Sequence, residues 1–553
     1  MLEINRSLLD SLNTEIKISD SFYACLNEHG LYNSAHFVVR LSPQNHQLLD
    51  SGAQKSAEEL TWEEVQAYST YIHETVHWWQ HIGSTAGIVL SMCYPGQAHA
   101  NITHLRKLAD SKTVGKSIKD WAEAQAMGGL DNSNELVASA NLVVNNVMDL
   151  EFFRSMILKP QLLRQMVNDN YFESVGHSFS TAYSVLLQVI ETTLGADLPC
   201  LPKYNNWPAK IETLTAQERG YYHYKSPIAL PPSEISGLTL LEGQARLIQL
   251  QFLQLSSQKF NKALNLFDFE KNGYLKGIYG DAFRYFISRT NSEFPSNTYD
   301  PIVGLFLLTC DLALNPGEGF PFDISDFENF PLQANPSIRF TRICESIRTD
   351  CSYLKTYLNE YSKDEYFYAS SKLAESCGYH SPLAILSELA KWPQDESAIT
   401  SLLKEQETFE FTEANQPVRV IFSHFLRFNQ DKLEAPEFFC WSGLFRHTKA
   451  DPEYNNLWLR NLSLFTDKAD DNGIYPRLRK GVSEKNLINT LNSFYGNSIN
   501  YDLTRQWTIQ SGNFKYDYLW LTESFEESVV RDKAQWLFEG LYGITPDTIE
   551  NIK

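Results

Sequence analysis

Apolar positions recur with the period of an α-helix between residues 62 and 82. The side of this segment that is predicted to be buried holds eight residues: Trp62, Val65, Ser69, Ile72, His73, Val76, His77 and Gln80. Thr61 and Glu64 have the spacing of a capping box, and neither proline nor glycine occurs before Gly83. The pattern therefore predicts one helix of about 20 residues, with two histidines on its buried stripe or at the edge of it.

Helical patterns also dominate the rest of the chain. Further helices are predicted at about 101–109, 115–127, 134–157, 160–170, 176–195, 240–256, 274–288 and 300–314. The chain from residue 337 onward is predicted to be mostly helical, with breaks at segments that contain proline. Residues 36–41 have the pattern of a β-strand. The predicted fold class is therefore mainly α with a small β component.

Length, charge and cysteine content limit the classes of protein to which this chain can belong. A chain of 553 residues has room for two or three domains, and its hydrophobic fraction of 43% predicts a sizeable core. The formal net charge of −20 argues against binding to nucleic acid or to an anionic membrane. There is no secretory signal and no apolar run of about 18 residues, and the eight cysteines form no CxxC pair. We therefore expect a cytoplasmic protein with reduced thiols and without a cysteine-based zinc site.

His73, Glu74 and His77 form an HExxH sequence within the predicted helix 62–82. Residues four apart lie on the same face of a helix, so His73 and His77 can bind one metal ion together. Glu74 then lies next to the open coordination position, where its carboxylate can act as a general base. A pair of structural core histidines is the alternative. Without a metal, however, two buried histidines and a buried glutamate would each need a hydrogen-bonding partner.

This segment resembles the zinc-binding helix of the zincin metallopeptidases. Metzincins extend the motif with a glycine and a histidine at fixed positions after the second histidine, and residues 78–83 do not have these residue types at those positions. His81 lies on a third successive turn and cannot converge well on the same ion as His73 and His77, so we expect it to be a neighbouring or surface group. The resemblance implies Zn²⁺ as the cofactor, held by these two histidines and by a third ligand from elsewhere in the chain.

In the gluzincins, the third ligand is a glutamate on a later helix, often in a Glu-Gly-x-Ala setting. Glu242, Gly243 and Ala245 match that pattern, 165 residues after the second histidine. The two small residues predict that their helix, at about 240–256, closely approaches the zinc helix. The resemblance therefore implies Glu242 as the third zinc ligand.

Three other carboxylates are alternatives for this position. Glu539 also precedes a glycine, but the alanine is missing and Gly540 resembles a helix terminator. Asp149 belongs to a polar stripe on a predicted apolar helix, and Glu151 lies beside that stripe. The stripe could instead face a solvated groove, or could support a zinc-bound imidazole from behind.

Two further features are expected near a zincin site. The first is a tyrosine or histidine that stabilises the oxyanion, for which Tyr221, Tyr222 and His223 are candidates, although aromatic packing is the stronger explanation of this cluster. The second is a strand that pairs with the substrate backbone beside the cleft. The predicted strand 36–41 could serve in this way, or it could be an ordinary strand of a sheet.

The metal-site motifs all precede residue 345, and the helical remainder carries no recognisable chemistry, so we predict a zincin-like metallopeptidase domain at 1–345 and a helical regulatory or recognition domain at 346–553. The resemblance applies to the first of these. It implies an intracellular zinc endopeptidase that hydrolyses a protein or peptide substrate, with a zinc-bound water activated by Glu74. The alternatives are a non-proteolytic zinc-binding sensor and a zinc-dependent amidohydrolase for small molecules. An intracellular protease needs restraint, and we expect the C-terminal part or a regulatory partner protein to provide it, as in toxins and defence effectors.

Overall fold

The computed structural model describes residues 4–5, 8, 29–34, 37–195, 197–225, 234–260, 263–446, 452–518, 521 and 526–552. The fold is mainly helical, with 68% helix and 3% strand, which confirms the predicted mainly α class with a small β component. None of the helices within these ranges has both the length and the apolar character that crossing a bilayer requires. The seven cysteines in these ranges are free thiols.

Helices follow one another along almost the whole described chain. The elements are β1 (Gly30–Asn33), β2 (Val38–Leu41), α1 (Pro43–Ala53), α2 (Trp62–Gly83), α3 (Thr85–His99), α4 (Ile102–Ser111), α5 (Ile118–Met127), α6 (Glu135–Leu158), α7 (Leu163–Met166), α8 (Val175–Leu194), α9 (Trp207–Ala216), α10 (Gly237–Ser257), α11 (Leu266–Lys271), α12 (Ile278–Thr290), α13 (Pro301–Leu314), α14 (Phe330–Ala334), α15 (Pro336–Thr349), α16 (Lys363–Cys377), α17 (Pro382–Asp395), α18 (Ser397–Thr408), α19 (Gln416–Glu434), α20 (Pro436–Cys440), α21 (Ser442–Phe445), α22 (Pro452–Arg460), β3 (Phe465–Lys468), β4 (Asp471–Pro476), α23 (Glu484–Ile509), α24 (Glu527–Tyr542) and α25 (Pro546–Glu550). Short 3-10 turns lie at Pro160–Leu162, Tyr204–Asn206, Gly220–Tyr222, Gln258–Phe260 and Ser352–Thr356. The predicted helices at 62–82 and 240–256 are confirmed as α2 and α10.

Helix α2 has the ends that the sequence predicts. The amide of Glu64 donates to Thr61 Oγ1 at 3.3 Å, and the amide of Thr61 donates to Glu64 Oε2 at 2.9 Å, so the capping box is confirmed. At the other end, Phe428 of α19 packs so tightly that a Cβ on Gly83 would lie 2.2 Å from its ring. Gly83 therefore allows α19 to approach α2 directly.

The four strands form one sheet in the order β1-β2-β3-β4. β1 and β2 are antiparallel, β2 and β3 are parallel, and β3 and β4 are antiparallel. The strand predicted at 36–41 is confirmed at 38–41, and His36 lies outside the described residues. Because β2 has a strand on each side, the expectation that it offers an edge to a substrate is wrong. The edges of the described sheet are β1 and β4.

The strand pair β3–β4 is an exception to the predicted helical character of residues 346–553. Its sequence contains aspartate, glycine and proline residues, so the local pattern indicated a break between helices. Pairing with β2 supplies the missing stabilisation, and a buried carboxylate reinforces it. The Leu41 amide donates to Asp467 Oδ2 at 3.2 Å, and His46 Nε2 lies 2.7 Å from Asp467 Oδ1. The sheet thus joins segments that are more than 400 residues apart.

One hydrophobic core contains buried residues from both sides of residue 345. Helix α2 takes part in it through two tryptophans, because Trp78 and Trp79 both donate from Nε1 to the Asn461 carbonyl, at 3.1 and 2.8 Å. The Trp79 ring also packs edge-on against Phe439, with 5.2 Å between the centroids. The division into domains at 1–345 and 346–553 stays a prediction. The helix that carries the HExxH motif is anchored by residues that follow residue 345.

Candidate metal centre

Helices α2 and α10 bring His73, His77 and Glu242 together. The two Nε2 atoms lie 3.1 Å apart, and Glu242 Oε2 lies 3.3 Å from each of them. Because the histidines are four residues apart on α2, their rings project from the same face of the helix. Metal ions are commonly held by three or more histidine, cysteine, aspartate or glutamate side chains. Within the described part of the chain, these three residues form the one such group whose atoms lie close enough together to hold a metal ion.

The spacing of the three atoms fits zinc. In a tetrahedral site with metal–ligand bonds of about 2.0–2.1 Å, neighbouring ligand atoms are separated by about 3.3–3.4 Å. The observed separations of 3.1, 3.3 and 3.3 Å are close to one triangular face of such a tetrahedron. Two imidazole nitrogens and one carboxylate oxygen are also a donor set of catalytic zinc, which leaves a fourth position for a non-protein ligand.

Burial opposes the charged form of His73, His77 and Glu242. The interactions among the three groups decide in which direction each pKa finally shifts. Burial lowers the pKa of His73 to about 3, although the Glu242 carboxylate acts in the opposite direction. At His77, burial also opposes protonation, but Glu242 outweighs it and raises the pKa to about 9. Burial would raise the pKa of Glu242, yet the two imidazoles hold it well below its ordinary value. The cluster therefore keeps the half-buried carboxylate of Glu242 ionised, and a divalent cation would complement that charge.

Gln80 orients the imidazole of His77. Its Oε1 atom lies 2.7 Å from His77 Nδ1, so it can accept a hydrogen bond from that nitrogen and leave Nε2 directed at the cluster. Gln80 Nε2 in turn donates to Leu241 O and Gln244 Oε1, both at 2.9 Å. One side chain therefore fixes a ligand on α2 and ties it to the helix that carries Glu242. The sequence placed Gln80 on the buried stripe but gave no sign of this role.

Polar contacts hold α10 antiparallel to α2. Gln80 bonds to α10 near its beginning, and Gln249 Nε2 donates to Ser69 Oγ one and a half turns later, at 2.9 Å. The prediction that Gly243 lets α10 approach the zinc helix is wrong. A Cβ on Gly243 would instead lie 3.2 Å from Ala282 Cβ, so this glycine serves the packing of α10 against α12.

Glu74 is buried next to the ligands and is not one of them. Its side chain is 3% exposed, and β1 passes directly against it. A Cβ on Gly30 would lie 2.7 Å from Glu74 Oε1 and 2.8 Å from Thr70 Cγ2. The carboxylate therefore lies between α2 and one edge of the described sheet.

The structure does not bring the alternative carboxylates to the cluster. Asp149 is buried between α6 and α8, where it accepts hydrogen bonds from Ser178 Oγ at 2.9 Å and Thr181 Oγ1 at 3.1 Å, and its burial raises its pKa to about 7. Glu151 accepts from the guanidinium of Arg505 at 2.8 Å. The polar stripe on α6 is thus explained largely by contacts with neighbouring helices.

Glu539 is exposed on α24 and belongs to no metal-binding group of the described residues. The expectation that Gly540 terminates this helix is wrong, because α24 continues to Tyr542. Gly543, with a φ of 73°, caps the helix in the left-handed conformation. Among the described residues, Glu242 is therefore the one carboxylate whose position fits the third ligand.

The predicted oxyanion candidates contact other parts of the protein. Tyr222 is buried, and its hydroxyl lies 2.8 Å from Ser180 Oγ on α8. The Tyr221 amide donates to the Glu328 carbonyl at 3.2 Å, and His223 is exposed. Helix α8 and the 315–336 segment thus hold this cluster, and among the described residues no hydrogen bond or ring contact joins it to His73, His77 or Glu242.

Sequence reasoning missed two residues beside the cluster. The ring of Tyr279, at the start of α12, lies edge-on to His73 with 5.9 Å between the centroids. The guanidinium carbon of Arg246 lies 4.0 Å from the centroid of the same tyrosine ring. Arg246 had a local signal, since it follows Glu242 by four residues and must share its helix face. Tyr279 had none, because the packing of α12 against α10 alone brings it near.

Comparison with known proteins identified no relative. No family model, no curated protein and no solved structure matches the chain. The resemblance to the zincins therefore rests on the HExxH and Glu-Gly-x-Ala motifs and on the geometry of the residues that they contribute.

Proposed function

We propose that this protein is a zinc-dependent endopeptidase. The observation that carries the proposal is the convergence of His73 Nε2, His77 Nε2 and Glu242 Oε2 within 3.3 Å of one another, next to a buried glutamate that is not a ligand. Zinc bound by these three residues would supply Lewis acidity and would lower the pKa of a coordinated water towards about 7.

Glu74 supplies the general base. Its buried carboxylate accepts the proton of the attacking water and then delivers it to the leaving amine. A structural zinc site is closed by four protein ligands and has no need of such a base. The combination of three protein ligands and an adjacent carboxylate therefore favours catalysis over a purely structural or sensing role.

The sheet favours a polypeptide as the substrate. Within the described residues, β1 has a strand on one side only, and Gly30 of β1 lies against Glu74. An extended chain can add to the edge of a sheet through backbone hydrogen bonds, which would hold its peptide groups alongside the general base. A small-molecule amide would make no use of this edge.

Gly30→Ala is expected to lower kcat about 100-fold, because the new Cβ forces the Glu74 carboxylate away from its position and small misplacements of catalytic groups have effects of this size. The zinc content is expected to stay at one ion per chain, since no ligand is touched. Steady-state kinetics and elemental analysis measure the two quantities. Gly496→Ala is the matched control, because its Cβ would meet Leu537 at an ordinary 3.6 Å. Wild-type kcat in Gly30→Ala would contradict the proximity of β1 to the base.

The direct test is hydrolysis of unfolded proteins by the purified full chain, with mass spectrometry of the new N-termini. Chelation is expected to abolish cleavage, and added zinc is expected to restore it, because His73, His77 and Glu242 act only through the ion they hold. Cleavage that is indifferent to chelation would exclude the proposed mechanism. Hydrolysis of small amides without any cleavage of peptides would favour the amidohydrolase alternative.

A further inference from the structure

Arg246 is a buried cation with one hydrogen-bond partner, and its guanidinium carbon lies 5.6 Å from the ring centroid of Tyr274 and 4.0 Å from that of Tyr279. The arginine side chain is 3% exposed, and it lies one turn after Glu242 on the same face of α10. Its Nη1 atom donates to Gln249 Oε1 at 2.5 Å, whereas its Nε atom has no hydrogen-bond acceptor. No carboxylate of the described residues forms an ion pair with it. The guanidinium has five N–H donors, and it makes one hydrogen bond within the described residues.

Arg339 shows how this protein normally accommodates a buried guanidinium. It is 2% exposed and has no carboxylate partner among the described residues either. Its two terminal nitrogens nevertheless donate to three backbone carbonyls, those of Gln333, Leu312 and Asn315, at 2.9–3.4 Å. Buried arginines are ordinarily paired, because an unpaired buried charge is costly. The Nε atoms of both arginines lack an acceptor, but the terminal nitrogens of Arg339 have three acceptors, whereas those of Arg246 have one.

Arg246 lies close to the candidate metal centre. Tyr279 is half-buried and lies between the two, with its ring 4.0 Å from the Arg246 guanidinium carbon and 5.9 Å from the ring of His73. An anion that accepts hydrogen bonds from Arg246 would therefore lie beside the peptide bond that is cleaved at the candidate metal centre.

We propose that Arg246 binds a carboxylate of the substrate, about two residues from the bond that is cleaved. The inference rests on the proposed peptidase function. Four residues of helix place Arg246 about 6 Å along α10 from Glu242, and an extended substrate advances about 3.3 Å per residue. A planar guanidinium matches a carboxylate through two parallel hydrogen bonds. In a polypeptide, the carboxylate is either an acidic side chain or the C-terminus of the chain.

Two pairs of peptides test this assignment in the zinc-loaded full chain. One pair differs by glutamate or glutamine two residues from the cleaved bond, and the other by a free or amidated C-terminus at the same distance. The wild-type kcat/KM is expected to favour the carboxylate member of one pair by about 10- to 100-fold, as for other charged hydrogen bonds. The pair that shows the preference identifies the source of the carboxylate. Equal values within both pairs would overturn the proposal.

Arg246→Met is expected to remove this preference without lowering the Tm, because it replaces an unpaired buried charge with an apolar side chain of similar length. Arg289→Met, at an exposed arginine of α12, is the control and should retain the preference. A preference that persists in Arg246→Met would overturn the assignment.

Peptide binding to the Glu74→Gln variant separates this inference from the peptidase proposal, because it requires no hydrolysis. A carboxylate peptide that binds 10- to 100-fold more tightly than its amide would support Arg246 as the binding group even if the wild type cleaved neither. Equal binding of both members would overturn the inference. It would leave the proposed hydrolysis intact.

Discussion

Replacement of Glu74 by glutamine is expected to abolish peptide hydrolysis and to leave zinc bound. The amide has nearly the same shape as the carboxylate but cannot accept the proton of the attacking water. Loss of a general base costs roughly 10²- to 10⁴-fold in rate. His73, His77 and Glu242 are unchanged, so one zinc ion per chain should remain. Single-turnover kinetics and elemental analysis of the same preparation measure both effects.

The sharpest control for this variant is Glu539→Gln, which makes the same chemical change at an exposed position on α24. It should retain wild-type activity and zinc content. Hydrolysis by Glu74→Gln at the wild-type rate would refute the assigned role of the glutamate. Loss of zinc from Glu74→Gln would instead show that Glu74 belongs to the ligand set.

Glu242→Ala is expected to lower zinc affinity by more than about 100-fold, because it removes a direct ligand and residues behind the ligands already contribute 10- to 100-fold. His73→Ala and His77→Ala should give losses of the same kind, since the three atoms stand as equivalent corners of one site. Competition with a fluorescent zinc chelator measures the affinities.

Asp149→Asn and Glu539→Ala are the matched controls, because both residues were alternatives for the third ligand and neither is near the cluster. Both variants should keep the wild-type zinc affinity. If Glu242→Ala left the zinc affinity unchanged and Asp149→Asn lowered it, Asp149 rather than Glu242 would be the third zinc ligand. Retention of one zinc ion per chain in both His73→Ala and His77→Ala would remove this site altogether.

The sequence was most informative where the relevant physics is local. Thr61 and Glu64 predict the beginning of α2 because capping acts within one turn. The spacing of the two histidines predicts that they share a face for the same reason. Glu242 could be chosen because its neighbours form a recognisable motif, even though 165 residues separate it from His77. The structure has the capping box and the shared histidine face, and it brings Glu242 to both histidines. The role of Glu242 as a zinc ligand stays a prediction.

The sequence was uninformative where packing between distant segments decides. Gly243 was assigned to the wrong neighbouring helix, because a small residue indicates close approach without indicating the partner. Strands β3 and β4 were missed because their stabilisation comes from β2. Asp149 was an alternative ligand because a polar stripe does not reveal whether its partner is a metal or, as here, two hydroxyl groups on α8. Tyr279 lacked any local signal.

The parallel pairing of β2 with β3 has a consequence for biosynthesis. A ribosome that adds roughly 5–20 residues per second needs about 20 to 90 seconds to proceed from Val38 to Phe465. Once residue 242 has been added, the nascent chain contains both histidines, Glu74 and Glu242, but it still lacks the strand that completes the sheet and the Asn461 carbonyl that anchors α2. Parallel pairing over so long a separation is also slow to form. The order of synthesis therefore delays the completion of the sheet and the anchoring of α2 until most of the chain has been made, and a peptidase of the proposed kind would lack this support during most of its own synthesis.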